Sequence, residues 1–373
     1  MAEAVAFEQS AYNTSSSLSE YQSTCQSASN PPSTKEQPQT SPQNGREEAD
    51  TGIRIGSYTN CHHIASGLTS EVFRSSSSPA STSSSNAVAL KVITTQHQNL
   101  EPHNPAREIR ILELLRENNA PSIITLQDTF RDQEQRLVLA FPYMPHTLGD
   151  IISTAELPIS RIFVDILRGL AYIHVQGIIH RDIKPSAILL PSPTGPALIS
   201  DFGTAWHPTL SAATEPASAK ILDIGTGPYR APEVLFGNKA YDGPVDMWAL
   251  GVMLTEALTG QPIFESRPVH EDGNQLGLIL SIFKTLGTPT PETWPEAKGF
   301  KVTPFELWTV FPPRPWEELL PGVEADFRDL VAALIRFDGK RATAEQVCFF
   351  SMKYLLFTFL SFPYPIIYHK LIR

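Results

Sequence analysis

The spacing of apolar side chains changes character partway along the chain. Between Ile53 and Met144 it comes in short runs set off by turn formers. "HHIASGLTSEVF", "NAVALKVI" and "LVLAFPYM" carry the β-branched and aromatic residues of strands. One segment breaks that rhythm. "NPAREIRILELLREN" has helical spacing, which predicts Ile109, Leu112 and Leu115 on one face and puts Pro105 in the first turn. Past "HTLGDII" the periods lengthen. "ISRIFVDILRGLAYIHVQG" reads as an amphipathic helix stopped at Gly177, and "DMWALGVMLTEALTG", apolar almost all round, as a buried central helix. "GLILSIFKTLG" and "EADFRDLVAALIRF" predict two more amphipathic helices. Strands first and helices afterwards predict an α+β chain of two lobes, 53–144 and 145–347.

Three segments stand outside this pattern. Residues 1–52 are dominated by Ser, Thr, Gln, Asn, Pro and Glu, too polar to offset the entropy of ordering, and are expected to be disordered. "RSSSSPASTSSSN" between two strand runs reads as a long hairpin loop. Residues 348–373 form an atypical apolar tail. Lys353, Pro363 and Pro365 interrupt it, so it falls short of the roughly twenty apolar residues of a spanning helix.

Composition adds limits. The 373 residues are 41% hydrophobic, which suffices for one large two-lobed domain. A net charge of −10 argues against a nucleic-acid partner, which would need a basic face. Cys25, Cys61 and Cys348 are scattered, without metal-ligand spacing, as in a reducing compartment. With no basic flank or apolar core of a secretory leader at the start, the expected location is cytoplasm or nucleus.

The candidate chemistry is phosphoryl transfer, which asks a protein for positioned phosphates, a metal ligand, a carboxylate beside the attacking hydroxyl and charge stabilisation. The chain offers, in order, Lys91 in "VALK", Glu108 on the next helix, "HRDIKPSA" with Asp182 and Lys184, "ISDFG" with Asp201, "GTGPYRAPE" with Thr226 and Glu233, and Asp246 in "DMWALG". Each short match is weak alone. The whole ordered set resembles the eukaryotic protein kinase family. "NPAREIRILELL", "GTGPYRAPEVLFG" and "IFKTLGTPTPETWPE" resemble its cyclin-dependent-kinase group, over about Ile53 to Val347.

The resemblance implies a Ser/Thr kinase that uses ATP and Mg2+ on protein substrates. It implies Lys91 and Glu108 as the phosphate clamp, Asp182 as catalytic base, Lys184 as charge stabiliser, Thr226 bonded to both, and Asp201 as metal ligand. Ile64, Gly67, Val72, Ala89, Phe141, Met144 and Leu189 would surround the nucleotide, with 142–144 as the hinge. Pro142 lacks an N–H there, leaving carbonyls and the Met144 N–H for the adenine. Arg341 is the expected partner of Glu233, Asp246 the anchor of the catalytic loop, and Arg181 its tie to the activation segment. A cyclin-type partner on the Arg107–Glu108 helix is implied as one option, packing on its own lobe as the other.

Several positions depart from the family pattern. "ASGLTSEV" keeps only Gly67 and Val72 of the glycine-rich loop, with Ala65 and Ser70 at the outer glycine positions. Ala187 stands where the family has an Asn that holds a second magnesium. Ile221 stands where cyclin-dependent kinases carry a phosphorylated threonine, and Trp206 where they carry the third arginine that grips it, while Arg107 and Arg181 remain. This resembles the fungal type of kinase that activates cyclin-dependent kinases without itself needing that phosphate. Thr214 and Ser218, in a lengthened segment, are the alternative phosphoacceptors. The rival reading is a pseudokinase scaffold that binds partners without efficient transfer.

Overall fold

The structure is a computed structural model that describes residues 52–76, 87–94, 101–153, 157–266, 274–305 and 309–348. Residues 1–51, most of the Ser-rich insert and 349–373 lie outside the described residues, and so do the expectations placed on them.

The first lobe is a six-stranded antiparallel sheet in the order β1-β2-β3-β4-β6-β5. Its strands are β1 (Ile53–Ile55), β2 (Tyr58–Ser66), β3 (Ser70–Ser75), β4 (Val88–Ile93), β5 (Asp128–Arg131) and β6 (Leu137–Pro142). Strand alternation decides what faces the cleft. Val88, Leu90 and Val92 of β4 join Ile55, Tyr58, Phe73, Val138 and Ala140 in a core on one side of the sheet. Ala89 and Lys91, one residue out of phase, point to the other side. Register carries that face across the sheet, since Val72 and Leu139 pair with Lys91, and Phe141 pairs with Ala89.

Helix α1 (Pro105–Glu117) begins where Asn104 accepts the Arg107 N–H at 3.0 Å. Its fully buried stripe is Glu108, Ile111, Leu112 and Leu115, and Ile109, half-buried, packs at the edge of the same core as Leu112 and Leu115. Positions 108, 111, 112 and 115 share one side of a helix, and Ile109 lies at its margin.

The second lobe is helical, as the lengthening periods predict. It contains α2 (Leu148–Ile151), α3 (Ile159–Val175), α4 (Pro232–Leu235), α5 (Pro244–Thr259), α6 (Asn274–Leu286), α7 (Trp316–Leu319) and α8 (Ala325–Leu334). A small sheet of β7 (His146–Thr147), β8 (Ile188–Leu190) and β9 (Leu198–Ile199) carries the catalytic loop. Gly177, at φ 72°, supplies the left-handed residue that ends α3, as predicted. Helix α5 is buried along most of its length, and Gly251 lets α8 approach: a Cβ there would stand 2.8 Å from Ile335. One apolar cluster runs from Ile93 and α1 through α3 and α5 to α8, so a continuous core underlies both sides of the cleft.

Candidate active site

Four carboxylates, of Glu108, Asp182, Asp201 and Asp223, and the two ammonium groups of Lys91 and Lys184 line a cavity of about 310 Å³ between the sheet and the helical lobe. Strand alternation brings Lys91 to it from β4, and the first turn of α1 brings Glu108. Lys91 Nζ donates to Glu108 Oε1 at 2.8 Å and to Asp201 Oδ1 at 2.8 Å. Burial alone would depress the Lys91 ammonium; the Asp201 and Glu108 charges override it and hold its pKa above the ordinary lysine range. The Lys91 charge outweighs burial at Asp201 and holds that carboxyl well below the usual range, whereas burial pushes the Glu108 carboxyl up against the pull of Lys91. Gly203 leaves room for this meeting, since a Cβ there would lie 3.4–3.6 Å from Asp201, Glu108 and Lys91.

The opposite wall comes from the catalytic loop. Thr226 Oγ1 donates to Asp182 Oδ1 at 2.6 Å, and Lys184 Nζ donates both to Asp182 Oδ2 and to Thr226 Oγ1, the latter at 3.0 Å. Arg181 adopts φ 71°, a conformation that costs a non-glycine residue about 1–3 kcal/mol. Asp246 of α5 holds it there, accepting the N–H of His180 at 2.9 Å and of Arg181 at 2.8 Å. The same carboxylate takes His174 Nε2 at 2.8 Å. Glu233 and Arg341 form the expected buried pair, at 2.6 and 3.1 Å.

The nucleotide-side residues divide. Gly67 is on the cavity lining, and its N–H closes the β2–β3 turn on Ser70 O at 2.7 Å, with Leu68 at the tip 85% exposed. Ile64, Val72, Ala89, Phe141, Met144 and Leu189 are off the lining of this cavity. Val72, Ala89 and Phe141 nevertheless share the Lys91 face of the sheet, half-buried, and Leu189 lies half-buried in β8. Apolar side chains left partly open beside a charged cavity suit a flat, partly apolar ligand. At the hinge, the Tyr143 N–H is used on Ala87 O at 3.0 Å.

The donor set fits one metal ion better than two. Asp201, its side chain 49% exposed, offers a carboxylate at the cavity, and Mg2+ commonly takes one or two carboxylates together with phosphate oxygens. Ala187 is buried and offers no side-chain oxygen; its carbonyl accepts both Ser200 N at 2.8 Å and Ser200 Oγ at 2.9 Å.

Two features escape the sequence reading. His103, just before α1, lines the cavity, and burial lowers its imidazole below the ordinary value against the nearby Asp201 and Asp182 charges. Glu215 is fully buried and bonded to Arg181, with Arg107 at 3.8 Å. A signal existed for it: Glu215 is the sole acidic residue between Asp201 and Asp223.

Comparison with known proteins agrees with this geometry. Residues 58–352 match the protein kinase domain family. The serine/threonine-protein kinase csk1 of the fission yeast Schizosaccharomyces pombe is 34% identical over 289 residues, covering 76% of this chain and 90% of that protein. A nearly complete reaction centre and a relative named as a kinase disfavour the pseudokinase reading. The chain belongs to the protein kinase family and is a protein serine/threonine kinase that uses ATP.

Proposed function

We propose that this kinase phosphorylates the activation segments of cyclin-dependent kinases, with Mg2+ as the metal of its ATP. The observation that carries the catalytic part is the meeting of Lys91, Glu108 and Asp201 with Asp182, Lys184 and Thr226 around one cavity. The substrate class rests on the likeness of "NPAREIRILELL" and "GTGPYRAPEVLFG" to the cyclin-dependent-kinase group, together with an activation segment that has lost its own phosphoacceptor.

Each residue then has a task. Lys91, fixed by Glu108, would draw in the α- and β-phosphates, and Asp201 would hold the metal. Asp182 accepts the proton of the attacking hydroxyl, with its oxygens aimed by Thr226 and Lys184. Lys184 faces the transferring group with its ammonium. MgATP, when bound, supplies the phosphoryl group and the cation that neutralises its oxygens. The Lys91–Glu108 pair is made within the chain, and Arg107 beside it is held by Glu101 at 2.7 Å and Pro102 O at 2.6 Å. That supports activity without a cyclin-type partner; such a partner would meet the exposed Ala106 and Arg110 of α1.

The test is transfer from MgATP to a recombinant cyclin-dependent kinase by the full chain, purified alone. Asp182→Asn should lower kcat by on the order of 10³-fold, in the range that positioned general bases contribute. Asp201→Asn should be comparably impaired. Wild-type transfer no faster than that of either variant would sink the catalytic assignment.

A further inference from the structure

A fully buried carboxylate joins the three segments that carry the reaction centre. Glu215 bonds the Arg181 guanidinium, lies 3.8 Å from Arg107 Nη1, and accepts the Ile221 N–H on Oε1 at 2.7 Å. Each partner is next to, or a few residues from, a group that meets the cavity. Arg181 precedes Asp182 on the catalytic loop, Arg107 precedes Glu108 on α1, and Ile221 lies five residues before Thr226. One carboxylate thus fixes the relative placement of the base, the lysine's clamp and the threonine that aims the base.

The surroundings are built to keep it there. Trp206 Nε1 donates to Glu215 O at 2.8 Å, which fixes the backbone from which the side chain springs. Arg181 donates further to Thr204 O and to Tyr241 Oη, the latter at 3.1 Å. Tyr241 Oη donates to Ile221 O at 2.7 Å, so both backbone polar groups of Ile221 are engaged, one by Glu215 and one by Tyr241. Lys220 covers the hub, with Nζ 4.6 Å from the centre of the Trp206 ring. A second tie runs from Thr214 Oγ1 to Glu101 Oε1 at 3.2 Å, and Glu101 in turn holds Arg107. The seat between the two arginines is therefore taken by Glu215, and neither Thr214 nor Ser218 occupies it.

We propose that Glu215 is the positioning residue of this kinase: a fixed internal anion that sets Asp182, Glu108 and Thr226 in register, so that the enzyme is competent without a phosphate on its activation segment. Charge balance supports it. A phosphate of nearly two negative charges calls for a dense set of cations. Here Trp206 contributes an N–H and no charge; of the three cations near the hub, the two arginines meet the single charges of Glu215 and Glu101, and Lys220 Nζ is taken by the Ala217 and Tyr241 carbonyls at 2.8 and 2.7 Å.

The inference rests on the chain being an active kinase and not on which protein it phosphorylates. The experiment accordingly uses histone H1 as a generic acceptor beside a recombinant cyclin-dependent kinase. The full chain is made in bacteria, treated with a broad-specificity protein phosphatase, and checked for absence of phosphate by intact-mass spectrometry. Phosphate-free wild type should keep its rate within about twofold. The nearly isosteric Glu215→Gln should lower kcat on histone H1 by on the order of 100-fold, as a small misplacement of reacting groups does, with KM for ATP within about threefold. Glu215→Asp should recover at least about a tenth of wild-type kcat. The proposal is overturned by a phosphate-free wild type that is inactive, or by Glu215→Gln with kcat near wild type. It is equally overturned by a loss in Glu215→Gln that Glu215→Asp does not relieve. Transfer to histone H1 but not to the cyclin-dependent kinase would count against the substrate reading alone.

Discussion

Two clusters of charge are joined by the single peptide bond between Arg181 and Asp182, and they meet water differently. On the Asp182 side, the charges face a cavity of about 310 Å³, and Asp201 has 49% of its side chain exposed. On the Arg181 side, Arg181 and Glu215 are both 0% exposed at the side chain. Both clusters pair carboxylates with cations at hydrogen-bond range. In the first, the pairing is provisional, because a phosphate or a metal ion can enter and exchange partners. In the second, the side chains are closed to water and the charges pair with one another, leaving Arg107 Nε, Arg181 Nη2 and Glu215 Oε2 without a hydrogen bond, and the product of that pairing is geometry. Removing a group from the open cluster should cost rate, while removing one from the sealed cluster should cost stability as well.

The largest separation should appear between two adjacent substitutions. Asp182→Asn removes a partly solvated carboxylate and should leave the melting temperature within about 2 °C of wild type while activity falls on the order of 10³-fold. Arg181→Met leaves Glu215 buried without its nearer cation, with Arg107 still 3.8 Å away, and should lower the unfolding free energy by about 3–5 kcal/mol. Urea titrations of the two variants beside wild type make the comparison. If Arg181→Met unfolds no earlier than Asp182→Asn, the hub is not the sealed, self-paired cluster described here.

The two clusters also differed in how far the sequence disclosed them. Lys91, Asp182, Lys184 and Asp201 were legible because short motifs carry them, and because strand alternation alone turns Lys91 away from the Val88–Leu90–Val92 face. Glu233 with Arg341, and Asp246 with the catalytic loop, were legible by resemblance. Glu215 was not. It lies in a lengthened loop without periodicity, and its meaning comes from contacts with Arg181 and Arg107, which only the fold brings near. The stripe of α1 was only partly legible for a related reason: pattern reading favours apolar residues, and here Glu108 is buried beside Leu112 and Leu115 while Ile109 packs at the edge. The nucleotide-side residues came from the resemblance alone; the register puts Val72, Ala89 and Phe141 on the Lys91 face, and of the whole set besides Lys91 and Asp201 only Gly67 borders the charged cavity, because that depends on how the lobes approach.

Asp246 lies between the two clusters and offers an effect of middle size, read by pH. Burial opposes its ionised form, but hydrogen bonds from His174 and from the loop N–H groups hold the carboxyl below its ordinary value. A carboxylate whose pKa is lowered on folding contributes stability that is present above its unfolded value, near 3.9, and is lost as pH falls through the folded one. Asp246→Asn should therefore cost about 1.5–3 kcal/mol at pH 7, the worth of hydrogen bonds to a charged acceptor. The gap between variant and wild type should narrow below about pH 4. Urea midpoints measured from pH 7 downward give the curve. A gap that widens in acid would mean that the carboxylate does not hold the loop as an anion.

The smallest effect should come from restoring what the open cluster lacks. Ala187 presents no side-chain oxygen to the cavity, yet its carbonyl is fixed by Ser200 N and Oγ, so the backbone at this position is anchored whatever side chain it bears. Ala187→Asn would add an amide oxygen beside the Ser200–Asp201 segment, at a packing cost of about 1–3 kcal/mol because the site is 2% exposed. If a second metal ligand limits the reaction, kcat/KM should rise about two- to fivefold when magnesium is scarce and converge with wild type when it is plentiful. Titrating magnesium at fixed ATP separates this from a general change in fold, which would displace the two curves equally. Curves that coincide throughout would mean that the site runs on the ion held by Asp201. The charge stabilisation that the family divides between two ions would then fall to Lys91 and Lys184, the two ammonium groups that already line the cavity.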